Sequence, residues 1–167
     1  MSGGASRSTS VGASRKRALA RLAAVQALYQ VQQGEHSIEE VVEQFLSDRS
    51  RADSEGGMSP EADRDFFAEL VNGASAHAGE IEPLLGSSLG PGWTAARLDR
   101  LVRALLQAGI FELGYRQDIP AKVVINEYVE IAHAFYGERE PGFVNSVLDR
   151  LARQLRPQEF PGASADA

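Results

Sequence analysis

Three groups of residues in this 167-residue chain have the types and spacing that chemistry can use. The first is Arg15, Lys16, Arg17 and Arg21, followed by Gln26 and Tyr29. Cations on the opening turns of a helix neutralise phosphates without reading base sequence. A tyrosine next to a glutamine adds a stacking face and a polar edge, the means by which unpaired RNA bases are held. The blander alternative is a solvated helix end with Tyr29 in the core. The second group is Glu130 and His133, whose Glu-x-x-His spacing places two metal ligands on one helical face. Such sites need a second pair and two more carboxylates, and neither His36 nor His77 has a matching partner. A solvated helix face is therefore expected, with no metal and no cofactor. The third group is Asn126 and Asn145, amides set in strongly apolar segments. They can bind a ligand or tie down loop backbone inside a helical bundle, and spacing alone favours the structural role.

What is absent narrows the function class. There is no cysteine, which excludes disulfides, thiolate catalysis and zinc–sulfur sites. No phosphate loop, dinucleotide fingerprint or nucleophile motif occurs, so catalytic residues are expected to be none. No apolar run approaches the roughly 18–20 residues of a membrane span, and a cytoplasmic protein is expected. The net charge of −6 argues against nucleic acid until its distribution is read. The first acidic residue is Glu35, and the segment before it carries five cations, including Arg7. Such asymmetry points to a basic arm on an acidic body. An acid-free, Arg- and Ser-rich start also resembles a transit peptide. It runs directly into ALARLAAVQALYQ, however, so cleavage would remove part of the expected fold.

The elements that must position these groups read as helices throughout, and the expected class is all-α. Ser14 can cap a first helix to Gln33, with Gly34 as its stop. Ser37 and Glu40 form a capping box for a second helix to about Asp48. A polar loop follows over Arg49–Gly57. Ser59-Pro60 opens a third helix to about His77, with Pro83 kinking or restarting any continuation. GSSLGPG, Gly86–Gly92, is the strongest breaker. After it Thr94 can cap a fourth helix, with Trp93 stapled onto Leu98. Pro120 starts a fifth helix ending at Gly137, and Pro141 a sixth that stops before Pro157. The organisation expected from this pattern is a disordered leader over 1–13, a helical subdomain over 14–85, a linker over 86–92, a second helical subdomain over 93–156 and a flexible tail over 157–167.

AAVQALYQ (Ala23–Gln30), GWTAARLDRLVRALLQAGIFEL (Gly92–Leu113), IPAKVVINEYVEIAHAFYG (Ile119–Gly137) and FVNSVLDRLAR (Phe143–Arg153) together resemble the NusB family of bacterial transcription antitermination factors over roughly residues 15–156. Each motif alone is weak, and their order and spacing make the match specific. The resemblance implies two tandem three-helix subdomains and a protein that is not an enzyme. It implies binding to boxA RNA of nascent ribosomal RNA transcripts together with NusE, a ribosomal protein, within an RNA polymerase antitermination complex that reads through terminators. Carried over by motif, Arg15, Lys16, Arg17 and Arg21 are expected RNA contacts, with Gln26 and Tyr29 beside them. Phe143 and Asn145 of the FVN motif are expected near the RNA, while Asn126 and Glu127 are expected to be mainly structural.

The chain departs from the family pattern at Ser146, where glycine is usual, and at Gln107, where arginine is common. Pro141-Gly142 also makes an unusual approach to the last helix. Two rival readings follow from the same residues. One is a helical interaction module that forms a homodimer without binding RNA. The other is an accessory domain of an RNA methyltransferase, for which this chain has neither a catalytic fold nor a Gly-rich cofactor loop.

Overall fold

The structure, a computed structural model, describes residues 3–47, 58–137 and 139–162, with residues 3–11 as backbone only. Seven α-helices and no strand occur among the described residues: α1 Gly3–Gln32, α2 Ile38–Ser47, α3 Arg64–Ala76, α4 Ala78–Ser88, α5 Arg100–Tyr115, α6 Ala121–Phe135 and α7 Arg139–Leu155. The all-α expectation is met. Contacts group the chain into two units, Met1–Asn72 and Gly73–Ala167. The division thus falls within α3 and not at Gly86–Gly92, because α4 packs on α5 and α7.

In the first unit α1 starts at Gly3, ahead of the expected Ser14 cap and through the stretch read as a disordered leader. Its glycines lower helix propensity but remove no backbone donor, and no proline interrupts it. Met1 and Ser2 lie outside the described residues, as do the polar loop at 49–57 and Asp48. Gly34 ends the helix with φ +80, a left-handed conformation that glycine adopts without strain. Ser37 caps α2 by accepting from the Glu40 N–H at 3.2 Å. The Glu40 carboxylate turns to His36 Nδ1 at 3.1 Å and does not close the box. Val41, Val42 and Phe45 form the inward face of α2, and Phe45 stacks on Phe67 with ring centroids 5.4 Å apart. The third helix begins later than Ser59-Pro60 suggests. Ser59 closes a turn by accepting from the Ala62 N–H at 3.0 Å. Asp63 is the residue that meets the free helix N–H groups, its Oδ1 accepting from Phe66 at 3.0 Å.

In the second unit the helix after α3 restarts at Ala78, following a single turn residue, His77. The restart precedes Pro83, which α4 carries internally. This break supplies the seventh helix. The fourth expected helix also begins differently. Residues Ala95–Arg97 form only a 3-10 turn, and α5 starts at Arg100, where Asp99 Oδ1 accepts from the Leu101 N–H at 2.8 Å. Trp93 is 57% exposed and is no staple, because a carboxylate at the helix start satisfies a backbone donor that Thr94 leaves untouched.

Helix α5 runs against α6 and α7, which also pack on each other. Gly109 permits the approach. A Cβ there would lie 3.1 Å from Leu148 Cδ2 and 3.4 Å from Tyr128. Tyr128 is fully buried and donates its hydroxyl to Glu112 at 2.9 Å. Glu82 accepts from both Arg103 Nη2 at 2.9 Å and Gln107 Nε2 at 2.8 Å. The amide that replaces the usual arginine therefore still reaches this carboxylate, and Arg103 supplies the charge. Pro141 lies in the first turn of α7, where its missing N–H has no helical acceptor to lose.

The segment after α7 is anchored by Arg156, Glu159 and Phe160, where a flexible tail was expected from residue 157. Arg156 is fully buried, and Phe160 is buried as well. The Arg156 guanidinium donates to the carbonyls of Glu112, Leu113, Arg116 and Ile119 and to the Glu159 carboxylate. Glu159 in turn accepts from the Ala121 N–H at 3.0 Å and so holds the first residue of α6. Residues 163–167 lie outside the described residues.

Candidate nucleic-acid interface

The basic start of α1 is pinned by the approach to α3. The Asp63 N–H donates to the Lys16 carbonyl at 3.0 Å, and Arg15 Nε meets Glu61 Oε2 at 3.3 Å. Both partners of that pair are well exposed, so it is screened and weak, and another anion can displace it. At about 100° per residue, Arg15 shares a helix face with Gln26 and Tyr29, with Lys16 beside it. Arg15 and Lys16 are exposed, and Gln26 and Tyr29 are half-buried. Arg15, Gln26 and Tyr29 make a strip, cationic and then amide-bearing and aromatic, along about 20 Å of helix, and Lys16 is turned about 100° from it.

Arg17 and Arg21 fall on another face. The Arg17 guanidinium lies 5.7 Å from the Phe66 ring centroid and that of Arg21 5.1 Å. Arg21 is only 2% exposed. The expected phosphate contact at Arg21 is therefore corrected. Helical rotation turns it inward onto an aromatic face, where cation–π attraction and burial hold it. Arg17 stays half-exposed and available at its edge. The side chain of Arg7 lies outside the described residues.

The FVN motif is split in the same way. Phe143 and Asn145 are two residues apart on α7 and so about 200° apart around it. Asn145 and Ser146 are exposed, while Phe143 is half-buried and lines a groove of about 450 Å³. Trp93, Arg97, Leu98, Val102 and Arg139 form most of the rest of that groove. Sequence reasoning missed Trp93, Arg97 and Arg139 as a group. The available signal was an aromatic residue directly after a Pro-Gly turn, where burial is unusual.

Asn126 is exposed on α6, which corrects the expectation of an amide tied inside the bundle. Val124, Ile125 and Tyr128 take the buried positions. Glu127 is half-buried beside it. Glu130 and His133 are both exposed, and no group of three or more His, Asp or Glu residues suited to a metal occurs among the described residues. No helix among them is long and apolar enough to cross a membrane.

One ionisable cluster lies elsewhere in the second unit. Tyr115 donates its hydroxyl to Glu80, which also meets His77 Nδ1 at 3.3 Å. The Tyr115 bond, followed by His77, holds the Glu80 carboxyl below its ordinary value, and Glu80 in turn raises Tyr115. The His77 and Tyr115 rings stack at 4.0 Å.

The model of the NusB family matches residues 18–153. Transcription antitermination protein NusB of Maricaulis maris (strain MCS10) is 45% identical over 153 residues, covering 92% of this chain and 96% of its own. The protein of that name from Rhodopseudomonas palustris (strain HaA2) is 45% identical over 145 residues, covering 87% and 86%. Among solved structures, T. maritima NusB matches with a TM-score of 0.71 at 27% identity, covering 86% of this chain and 96% of that one. A crystal structure of antitermination factors NusB and NusE in complex with dsRNA matches with a TM-score of 0.70 at 21% identity, covering 84% and 98%. At that identity the likeness is one of fold.

Proposed function

The chain belongs to the NusB family, and from that premise we propose that it is an RNA-binding transcription antitermination factor that binds boxA RNA of nascent ribosomal RNA transcripts together with NusE. In this role it acts in the cytoplasm as a non-enzymatic part of the RNA polymerase antitermination complex and promotes read-through. The observation that carries the reading is the strip on α1, where exposed Arg15 leads along one face to half-buried Gln26 and Tyr29, with exposed Lys16 about a quarter-turn away.

The strip divides the work by chemistry. Arg15 and Lys16, with the exposed edge of Arg17, supply sequence-independent attraction to phosphates. Tyr29 and Gln26 meet an unpaired base by stacking and hydrogen bonding. Phe143 and Asn145, on different faces of α7, are further RNA contacts in this reading. Arg21 acts as a positioning residue, holding the start of α1 against Phe66. So few phosphate contacts give modest affinity at physiological salt, which is why a partner is needed. The acidic remainder of the chain complements a basic ribosomal protein such as NusE and steers their encounter.

The test is fluorescence anisotropy with a labelled boxA-like RNA and a scrambled control, with and without NusE, at two salt concentrations. Tighter and sequence-selective binding in the presence of NusE is expected. Equal binding of both RNAs with NusE present would overturn the reading, and a concentration-dependent dimer unaffected by RNA would favour the interaction module instead.

A further inference from the structure

The carboxylate that meets Arg15 is presented to it by a built turn. Ser59, Pro60, Glu61 and Ala62 form this turn, with the Ala62 N–H donating to the Ser59 carbonyl at 3.0 Å. Proline at the second position presets the backbone angle the turn needs, and the Ser59 hydroxyl accepts from the Glu61 N–H at 3.3 Å. Met58 and Ala62 are buried on either side, so the turn is anchored while Pro60 and Glu61 are left exposed. The Asp63 N–H then donates to the Lys16 carbonyl at 3.0 Å, which sets the turn in register with the first cations of α1. All of these residues belong to the first unit.

The consequence is an anion held beside a cation of the strip. Glu61 Oε2 accepts from Arg15 Nε at 3.3 Å, with the two side chains 65% and 72% exposed. The contact is one hydrogen bond from Nε and not the two-pronged pairing of which a guanidinium is capable. A phosphate can take the fork that Glu61 leaves unused, so the exchange of one anion for the other is favourable when RNA arrives. Lys16, next along the helix, makes no ion pair among the described residues. Most exposed ion pairs contribute little because two long side chains must be ordered to form them. Here the turn has already ordered the backbone of one partner, which lowers that cost.

We propose that Glu61 is an internal competitor for RNA phosphate at Arg15, and that it sets how tightly the start of α1 holds any RNA backbone. The proposal rests on the RNA-binding reading above and adds to it a residue from a different segment. In the free protein Glu61 occupies Arg15. On binding, a phosphate replaces the carboxylate and Glu61 returns to solvent. The exchange costs the same for every RNA, because a phosphate carries no sequence information. Attraction through phosphate alone is thereby kept weak, and stacking on Tyr29 with hydrogen bonding at Gln26 decides which RNA is retained. The pair is not needed to hold the turn onto α1, since the backbone bond from Asp63 to Lys16 already does so.

The experiment compares Glu61→Gln with the wild-type full chain, NusE present, by anisotropy of labelled boxA-like and scrambled single strands across a salt series. The substitution keeps the side-chain shape and removes the charge. It is expected to tighten binding of both RNAs by about two- to fivefold, the range an exposed ion pair allows, with the ratio between them unchanged. The gain should fade as salt rises, because exposed charges are then screened. In an Arg15→Ala background Glu61→Gln should give no more than Glu43→Gln, which removes an exposed carboxylate from α2 and so controls for net charge. Because both partners of the pair are exposed, Glu61→Gln should keep the wild-type circular dichroism and melting temperature. Equal RNA affinities for Glu61→Gln and wild type would overturn the competitor role and leave the RNA-binding reading standing. A gain of the same size from Glu43→Gln, or in the Arg15→Ala background, would overturn it too, making Glu61 one carboxylate in a general field. A lower melting temperature with unchanged RNA affinity would mark the pair as purely structural. If wild type binds neither RNA, the RNA-binding reading falls and the competitor falls with it.

Discussion

Replacing Arg156 should be the most damaging single change in the second unit, and the structure allows its size to be worked out. The side chain is fully buried, and its guanidinium serves four carbonyls and one carboxylate. Two of those carbonyls have other donors. Glu112 also accepts from the Arg116 N–H at 2.9 Å, and Arg116 from the Ile119 N–H at 3.1 Å. No backbone N–H among the described residues reaches the carbonyls of Leu113 or Ile119 from outside a helix. Arg156→Ala therefore orphans two buried acceptors, at about 1–3 kcal/mol each. Water entering the vacated space recovers part of the upper end, so a loss of about 3–5 kcal/mol is expected. At about 2–4 °C per kcal/mol for a chain of this length, the melting temperature should fall by about 10 °C. Urea unfolding followed by circular dichroism measures the loss as a shift in midpoint. Arg156→Lys keeps the charge but has neither the planar fork nor five donors, so it should recover about half the loss. Glu159→Gln keeps the acceptor for the Ala121 N–H and should cost less than about 1 kcal/mol. A loss below about 1 kcal/mol for Arg156→Ala would refute the carbonyl argument. So would equal losses for Arg156→Ala and Glu159→Gln, which would place the energy in the ion pair.

Four further outcomes are expected. Arg15→Ala combined with Lys16→Ala should lower the slope of log affinity against log salt for single-stranded RNA by about 1.4, two phosphate contacts' worth, as read by anisotropy across a salt series. Gly73→Ala places a Cβ 2.2 Å from the Phe111 ring, and the overpacking should cost about 1–3 kcal/mol in urea unfolding, more than the same change at the open position Gly114. The Glu159 carboxyl is held below its ordinary value of 4.5, first by the Ala121 N–H and then by Arg156. Its stabilising contribution is present above that ordinary value and is lost as pH falls through the lower folded value, so the acid limb of stability against pH should flatten in Glu159→Gln. Tyr115 is raised above 10.0 by its bond to Glu80, so one of the four tyrosines should ionise late in an ultraviolet titration, and Glu80→Gln should bring it back toward the others.

The helical class, the apolar faces and several boundaries are legible without coordinates. Ser37 caps α2 and Gly34 ends α1 because both act within one turn of the residues they satisfy. The family motifs are local as well. Other boundaries moved where two candidate caps compete. Asp63 and Asp99 take the helix starts that Ser59 and Thr94 were expected to hold. The preference is itself local, but it depends on which turn the preceding chain can make. The basic cluster was legible as a cluster. Its division into exposed Arg15 and Lys16 and inward Arg21 was not, because the inward face of α1 is defined by Phe66 on a distant segment.

The amino-acid sequence by itself determines that this is an all-helical member of the NusB family with a cationic arm on an acidic body, because helix period, charge and motif order are properties of neighbouring residues. Only the tertiary structure decided which arginines face solvent, that Trp93 stands out beside Phe143, Arg97 and Arg139, and that Arg156 draws the last turn of α5 onto the start of α6. Those outcomes depend on which remote side chain arrives to accept a proton, cover a ring or leave it bare. No local spacing carries that information.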